Sequence, residues 1–277
     1  DINLYKLFVE QCYNLLCPAG ECGIVIPSGI YTDLGTKQLR EMLFNQTEVT
    51  GLFCFENRKD IFEGVDCRFK FVVLTYKKGG RTDKFPAAFM RHDVAELERF
   101  PNEGSIDIPL DLIRRTSPDS LSVMEFKNNI DIAIAKKMLE FPRLGEKMAG
   151  KWNLVLCNEF HMTNDSKLFK TAPGNGRIPL YEGKMIWQFT HQYAEARYWV
   201  NEKEGRKALL GSTKDTGQAM PYMGYRMGYR SIASSTNERS LIATVLPPNI
   251  FFGNSINAST NDFASIDLLY VVALLNS

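Results

Sequence analysis

The fold is decided by residues 22–55, CGIVIPSGIYTDLGTKQLREMLFNQTEVTGLFCF. Two short apolar runs, CGIVIP at 22–27 and VTGLFCF at 49–55, stand at the two ends of this stretch. Runs of this kind are typical of central strands that are covered on both faces. Between them, DLGTKQLREMLFN at 33–45 has the apolar spacing of a helix. The stretch therefore predicts a buried strand, a helix and a second buried strand.

An amphipathic helix pattern, NLYKLFVEQCYNLL at 3–16, precedes this stretch. Six of its apolar residues fall on one stripe at helical spacing: Leu4, Leu7, Phe8, Cys12, Leu15 and Leu16. We expect the stripe to pack on another part of the protein. Helix, buried strand, helix and buried strand in this order predict an α/β fold built on half of a doubly wound sheet.

The pattern changes after residue 66. CRFKFVVLTYKKGG at 67–80 ends in alternation and a lysine-glycine turn, and KFPAAFM follows at 84–90. Both runs are typical of antiparallel strands. We predict that they form an antiparallel hairpin at the edge of the sheet.

The remainder of the chain has a different character. The passage from 91 to about 140 is charged and interrupted by prolines, and we place a domain boundary inside it, with domains at 1–115 and 116–277. Beyond this passage, short strand-like runs alternate with loops rich in glycine, asparagine and serine, and a helix pattern begins near residue 262. The runs are WNLVLCNEF, KMIWQF, GYRSIAS, LIATVLP and NIFFGNSIN. They predict a mixed, mostly β second domain.

Composition limits the class of protein. The chain has 277 residues, 44% of them hydrophobic, and a net charge of +1, which is typical of a globular protein without an overall basic surface. No run is long enough to span a membrane, and the six cysteines contain no C-x-x-C pair. The three histidines have no metal-ligand spacing. We therefore expect a cytoplasmic protein with no metal site and no membrane partner.

Four segments resemble one family. Residues 3–43 and 61–80 look like parts of gamma-class N6-adenine DNA methyltransferases that follow their Asn-Pro-Pro-Tyr catalytic motif. Residues 180–189 and 229–254 are similar to the target recognition domain of single-chain (type IIG) restriction-modification methylases and of the PglX methylase of BREX phage defence. The resemblance implies the second half of a methyltransferase sheet followed by a DNA-recognition domain, with double-stranded DNA as the partner.

Two motifs of this family are missing. The chain has neither the glycine-rich turn that binds S-adenosylmethionine nor the Asn-Pro-Pro-Tyr motif, and its one proline pair, Pro247-Pro248, lies in the wrong domain. We therefore expect a fragment that lacks the N-terminal half of the methyltransferase domain. S-adenosylmethionine is expected to bind the full-length parent and not this chain.

The resemblance assigns one residue to the methylation chemistry. Methylating the exocyclic amine of adenine requires that the base leave the duplex, and in the family an aromatic ring stacks on the flipped base. Phe62 in DIFEGVD is the matching position, and Gly64 would let the backbone turn sharply beside it. From the residues alone, Phe62 is also compatible with a ring in the core.

Candidate DNA contacts lie in the second domain. Residues 206–239 contain six basic and two acidic residues, and YRMGYRSIASSTNERS at 225–240 spaces arginines among hydroxyl and amide side chains. Such side chains bind phosphates and base edges, although a solvated loop has the same composition. We expect Met185, Trp187 and Phe189 to pack inward and their neighbours to face outward. The candidates are Lys184, Gln188, His191, Arg226, Arg230, Thr236, Asn237 and Arg239.

Three functions remain open at this point. The first is a fragment of a site-specific adenine-N6 DNA methyltransferase, inactive by itself, from a restriction-modification or phage-defence system. The second is a non-catalytic DNA-binding specificity module that works with a partner subunit. The third is an α/β interaction protein without a role in nucleic-acid binding. Salt-dependent DNA binding would separate the third from the other two, since phosphate contacts weaken as salt rises.

Overall fold

The fold is that of a computed structural model, which describes residues 3–151, 153–234, 237–260 and 264–277. The chain divides into two compact units, Asp1–Arg143 and Leu144–Ser277. In the described ranges, no helix has the length and apolar character needed to cross a membrane.

The first unit is a mixed sheet with helices. Its helices are α1 (Leu4–Leu15), α2 (Gly29–Thr32), α3 (Lys37–Gln46), α4 (Leu110–Thr116) and α5 (Asn129–Met138). Its strands are β1 (Glu21–Pro27), β2 (Thr47–Glu56), β3 (Lys70–Lys78), β4 (Lys84–Arg91) and β5 (Ile106–Pro109). Short 3-10 helices span Leu34–Thr36 and Val94–Arg99. The predicted succession of helix, strand, helix and strand is confirmed.

The sheet of the first unit has the strand order β1-β3-β2-β4-β5. β3 is antiparallel to both β1 and β2, β2 is parallel to β4, and β4 is antiparallel to β5. Because side chains alternate along each strand, one face of the sheet packs against the helices through residues such as Leu52 and Leu74. The other face carries a cluster around Phe53, Phe55 and Phe71. The α/β class predicted from sequence is confirmed.

The predicted edge hairpin is wrong. β3 does not pair with β4 but lies between β1 and β2, and β4 pairs with β2 in parallel. The reason is that β3 is apolar on both faces: Phe71 is buried in one cluster, and Val72 and Leu74 in the other. A strand of this kind buries more apolar surface in the interior of a sheet than at its edge.

Two surfaces that we expected to be covered are exposed. β1 is an edge strand, with no described strand on its second side, and Val25 is 53% exposed. The helix α1 turns Val9 into the core, whereas four residues of its predicted stripe are 50–76% exposed: Leu4, Leu7, Phe8 and Leu15. Apolar residues thus occur on two sides of α1, and the described residues cover only one of them.

The first unit extends beyond the predicted boundary at 115/116. Leu121, Val123, Phe126 and Ile132 are buried in its core. The backbone amide of Val123 also donates to the carbonyl of Tyr31 at 2.9 Å. These apolar residues are isolated among charged and polar ones, so the passage has the composition of a linker although it packs on the sheet.

The second unit is mostly β, as predicted. Its strands are β6 (Leu156–Cys157), β7 (Phe169–Lys170), β8 (Arg177–Tyr181), β9 (Tyr198–Asn201), β10 (Arg226–Arg230), β11 (Ala243–Leu246), β12 (Phe251–Phe252) and β13 (Ile256–Ser259). Its helices are α6 (Glu202–Leu210) and α7 (Ser265–Leu275). The described residues form an antiparallel sheet, β11-β10-β13-β6, and a mixed sheet, β12-β8-β9-β7. Residues from both sheets share one core, which includes Tyr181, Leu246 and Phe252.

The strand predicted at KMIWQF is wrong. Residues Gly183–Met185 form a 3-10 helix, and Trp187 then faces Thr190 across a tight turn in which Phe189 has a φ of 61°. The helical turn directs two consecutive residues, Met185 and Ile186, into the core, which breaks the expected alternation. As a result Phe189, expected to pack inward, is 65% exposed.

Candidate functional site

An open cleft of about 830 Å³ lies at the carboxyl end of β1 in the first unit. In open α/β sheets, ligands bind beyond the carboxyl ends of the strands. The residues around the cleft come from α1, the β1–α2 turn and the segment before β3: Asn3, Leu4, Tyr5, Pro27, Ser28, Gly29, Thr32, Asp33, Arg68, Phe69 and Lys70.

The floor of the cleft is filled by side chains of the chain itself. A Cβ atom added to Gly29 would lie 2.5 Å from Oδ2 of Asp33 and 2.6 Å from the hydroxyl of Tyr5. The Tyr5 hydroxyl is buried, and among the described residues it has no hydrogen-bond partner. Burial, followed by the charge of Asp33, raises the pKa of Tyr5. A side chain at position 29 would therefore have to displace the ends of these two side chains.

Phe62 lies in the loop at residues 57–69 that joins β2 to β3. Its side chain is 46% exposed, and its ring packs edge-on against Phe71, with ring centroids 4.8 Å apart. Arg68 and Phe69 of the same loop line the cleft. Gly64 has a φ of 74°, so the loop makes the sharp turn expected there. The ring is neither fully buried nor fully solvated, and its role in base stacking stays a prediction.

A polar network at the carboxyl ends of β2 and β4 was missed by the sequence reasoning. Oε2 of Glu56 lies 2.6 Å from Nε of Arg58 and 3.1 Å from Nε2 of His92. Nζ of Lys70 lies 3.7 Å from Oε1 of Glu56 and 2.6 Å from Oε2 of Glu125. Hydrogen bonds from Arg58 and His92 lower the pKa of Glu56. A charged residue directly after an apolar run, such as Glu56, is the sequence signal that could have found this network.

The network continues into the core through Tyr31. Its hydroxyl donates to Oε1 of Glu125 at 2.9 Å and lies 2.9 Å from the sulfur of Cys54. Burial raises the pKa of Tyr31 and also raises the pKa of the Cys54 thiol to about 11. Cys54 is therefore an un-ionised thiol at neutral pH, which does not favour a nucleophilic role. The network joins strand ends and the 117–127 segment, and the charges within it are paired.

In the second unit, the structure corrects the assignment of Arg226. Its side chain is 1% exposed, and its guanidinium donates to Oε1 of Glu159 at 2.5 Å and to the carbonyl of Ile250 at 2.9 Å. It also lies over the ring of Phe252, with Cζ 4.8 Å from the ring centroid. Arg226 is the first of three consecutive buried residues of β10, so its charge is part of the core and does not face DNA.

Arg230 stabilises the turn at residues 186–193. Its guanidinium donates from Nε and Nη2 to the carbonyl of Ile186, at 3.0 and 2.6 Å, and lies 4.7 Å from the centroid of the Trp187 ring. Trp187 in turn stacks on Tyr193, with centroids 5.1 Å apart. Arg230 is half-buried, so only part of its guanidinium surface is available to a ligand.

The three predicted contacts near this turn are at or close to the surface. Lys184 is exposed, with Nζ 3.6 Å from Oε2 of Glu182, and Gln188 is half-buried. Nδ1 of His191 is hydrogen-bonded to the hydroxyl of Tyr181 at 3.1 Å, beside a cleft of about 510 Å³. The 181–193 segment thus brings Lys184, Gln188 and His191 into one region with Arg230.

The remaining candidates lie in the segment after β10. Nη1 of Arg239, an exposed residue, donates to the carbonyl of Ser277 at 2.6 Å. The backbone amide of Asn237 donates to the carbonyl of Ser234 at 3.1 Å. Thr236 lies outside the described residues. The DNA contacts predicted for this segment stay predictions.

Comparisons with known proteins agree with the family resemblance. Residues 1–62 match the family model described as Eco57I restriction-modification methylase. No curated protein sequence matches the chain. Among solved structures, the type IIL restriction-modification enzyme MmeI in complex with DNA has a TM-score of 0.53 at 10% identity, over 100% of this chain and 38% of that one.

A second solved structure has a similar fold. It is a nuclease-deletion mutant of the type ISP restriction-modification enzyme LlaGI with a DNA substrate mimic, and it has a TM-score of 0.50 at 12% identity, over 99% of this chain and 28% of that one. The chain therefore spans less than half the length of either enzyme. At these identities the likeness shows a shared fold.

Proposed function

We propose that this chain is part of a site-specific DNA methyltransferase that methylates adenine N6 in a cytoplasmic restriction-modification or phage-defence system. The first unit belongs to the methyltransferase domain and the second to the DNA-recognition domain. The observation that carries the proposal is that two properties occur together in residues 1–62. They match a restriction-modification methylase model, and they fold into the helix, strand, helix and strand that lead to the exposed ring of Phe62.

The uncovered surfaces of the first unit support this proposal. An apolar edge strand and an exposed apolar helix stripe are unfavourable in water. β1 and α1 carry these two features, with Val25 on the strand and Leu7 and Phe8 on the helix. The rest of the methyltransferase domain would add a strand beside β1 and cover α1. Hydrogen exchange tests this: backbone amides on the free side of β1 should exchange faster in the isolated chain than in the full-length protein.

We propose that this chain does not bind S-adenosylmethionine by itself, since it has no glycine-rich strand turn. Gly29 follows β1, but Asp33 and Tyr5 occupy the space beside it. A cofactor cradle needs backbone amides that a ligand can approach. The cofactor therefore belongs to parts of the parent enzyme outside this chain, and calorimetry should detect no binding of S-adenosylmethionine by the chain alone.

The role of this chain in the reaction is to hold the extruded base and the DNA. The exposed part of the Phe62 ring offers a stacking surface at the carboxyl edge of the sheet, and stacking a base on an aromatic ring contributes about 1–3 kcal/mol. Lys184, Gln188, His191 and Arg230 would approach the duplex from the second unit. Arg239 would add a contact to a phosphate or a base edge.

Replacing Phe62 with alanine in the full-length enzyme tests the proposal. The variant should methylate a single-turnover substrate more slowly, by roughly 5- to 150-fold, because the flipped base loses its stacking surface. A fluorescent adenine analogue at the target position should also report less base extrusion. Duplex affinity should change little, since the ring is expected to contact only the extruded base.

Val65→Ala is the matched control, because Val65 lies in the same loop and its side chain is also partly exposed. It should leave the methylation rate and the fluorescence unchanged. A Phe62→Ala enzyme that extrudes the analogue and methylates at the normal rate would rule out base stacking by this ring. A full-length protein that binds DNA but never methylates it would instead indicate the specificity module.

A further inference from the structure

The loop at residues 57–69, which carries Phe62, is closed at its base by backbone hydrogen bonds. The amide of Asn57 donates to the carbonyl of Phe69 at 3.0 Å, and the amide of Asp60 donates to the carbonyl of Asn57 at 3.1 Å. Next to this closure, Glu56 of β2 pairs with Lys70 of β3 in the ladder of the sheet. The two ends of the loop are therefore fixed by the strands, whatever the conformation of the residues between them.

In the middle of the loop, one buried side chain, that of Asn57, makes three hydrogen bonds to the backbone. Oδ1 of Asn57 accepts a hydrogen bond from the backbone amide of Phe62 at 2.9 Å. Nδ2 donates to the carbonyl of Phe62 and to the carbonyl of Val65, both at 2.9 Å. Asn57 is fully buried, and these three bonds use both protons of its amide. Only this orientation of the amide satisfies all three groups, because the reverse one would place Oδ1 against two carbonyl oxygens.

The side chain of Asn57 is thus hydrogen-bonded to both the backbone amide and the backbone carbonyl of Phe62. Fixing both groups fixes the direction in which the side chain leaves the backbone. The only ring contact recorded for Phe62 within the described residues is the edge-on contact with Phe71. A Cβ added to Gly64 would meet no atom within 4 Å, which shows that the loop is not packed from outside at that turn.

We infer that Asn57 is a positioning residue that aims the Phe62 ring at the extruded base. The inference rests on the proposed function, in which Phe62 supplies the stacking surface. Stacking requires a ring of defined orientation, and displacement of a reacting group by about 1 Å can cost roughly 100-fold in rate. In this inference, the buried side-chain amide of Asn57 fixes the orientation of the ring without contacting the base.

Asn57→Asp in the full-length enzyme tests the inference. Aspartate has nearly the same shape, but its carboxylate cannot donate to the carbonyls of Phe62 and Val65. The carboxylate can still accept from the Phe62 amide, but two of the three hydrogen bonds are lost. We therefore expect the loop to open more often, so that the backbone amide of Phe62 exchanges faster with solvent and single-turnover methylation slows by roughly 10- to 100-fold. Duplex affinity should be retained. Asn102→Asp is the matched control, since Asn102 is an exposed asparagine in a turn of the same unit, and it should change none of these quantities.

A double variant separates positioning from a general loss of structure. If Asn57 acts through the ring, Asn57→Asp combined with Phe62→Ala should be no slower than Phe62→Ala alone, because no ring is left to aim. Effects that multiply would overturn the inference. If Asn57→Asp does not fold, Asn57→Ser takes its place with the same measurements, since serine keeps an acceptor near the Phe62 amide.

The two hypotheses fail in different ways. Unchanged exchange at the Phe62 amide in the Asn57 variants would overturn the positioning role, even where Phe62→Ala slows methylation as proposed. Normal methylation by Phe62→Ala would overturn the stacking role itself, and the aiming role with it. A slow Asn57→Asp enzyme with faster exchange at the Phe62 amide, together with the non-multiplying double variant, would support both.

Discussion

Each compact unit buries an arginine, and the two units accommodate the buried cation differently. In the second unit, Arg226 of β10 forms an ion pair with a buried carboxylate, Glu159. The second oxygen of this carboxylate accepts a hydrogen bond from the backbone amide of Phe252 at 3.0 Å. The guanidinium also binds the carbonyl of Ile250. Since β10 belongs to one sheet and Phe252 to the other, the ion pair joins the two sheets.

In the first unit, backbone carbonyls surround Arg40 of α3. Its guanidinium donates to the carbonyls of Ile30, Asp33 and Ser120 and to the hydroxyl of Thr36, at 2.5–3.1 Å. Carbonyls at the ends of short helices have no intrahelical partner, and a buried guanidinium satisfies several of them together. Burial lowers the pKa of Arg40. The comparison shows that a buried arginine can act as a connector of backbone segments as well as an ionic partner.

The largest expected effect follows from removing Arg226. Arg226→Ala leaves Glu159 as a buried charge without its partner, and breaking a buried ion pair costs about 3–5 kcal/mol of unfolding free energy. Chemical denaturation, followed at the unfolding transition of the second unit, measures this loss of free energy. Arg197→Ala is the control: Arg197 forms a similar pair with Glu182 but is largely exposed, so its loss should cost about 0.2–1 kcal/mol.

The pH dependence sharpens this prediction. Burial raises the pKa of Glu159, and Arg226 opposes that effect. Below the ordinary glutamate pKa of about 4.3 the carboxyl is protonated in the folded and the unfolded state, so it carries no buried charge. As the pH rises through the raised folded value, the ionised form becomes costly. The stability deficit of Arg226→Ala should therefore grow as the pH rises above the ordinary glutamate pKa of about 4.3, and a deficit independent of pH would contradict this account.

A smaller effect is expected for Arg40. Arg40→Ala removes charge-assisted hydrogen bonds from several carbonyls, and each such bond contributes roughly 1.5–3 kcal/mol. We expect a loss of that order and a weaker dependence on pH than for Arg226→Ala, because the guanidinium of Arg40 donates to carbonyls and a hydroxyl and not to a buried carboxylate. Thermal unfolding of the first unit at two pH values checks both points. Arg114→Ala, which removes an exposed hydrogen bond to Asn45 at 3.0 Å, should have little effect.

The two arginines also show what the sequence could and could not predict. The strands and helices of 3–55 follow from apolar periodicity, which depends on neighbouring residues alone. The insertion of β3 between β1 and β2 depends on pairing between distant segments, so local alternation placed it wrongly. Arg226 was assigned to DNA because its neighbours are polar, but its burial is decided by Glu159, 67 residues earlier in the chain. Phe62 was found only through the family resemblance.

The smallest expected effect on stability, and the one most relevant to function, concerns Arg239. Among the described residues, this exposed arginine donates one side-chain hydrogen bond, to the carbonyl of Ser277, so Arg239→Ala should change the unfolding free energy by less than about 0.5 kcal/mol. If its guanidinium contacts a phosphate in the full-length enzyme, DNA affinity should fall equally on all sequences, and the slope of log affinity against log salt should decrease by about one unit. A contact with a base edge would instead remove about 1–3 kcal/mol of discrimination at one position.

Arg177→Ala, in β8 of the same unit, is the control for a general loss of positive charge. Equal changes in the two variants, or none in either, would remove Arg239 from the DNA interface. The charge of Arg239 would then be solvated at the surface, in contrast to Arg40 and Arg226, whose buried guanidinium groups bind other parts of the fold.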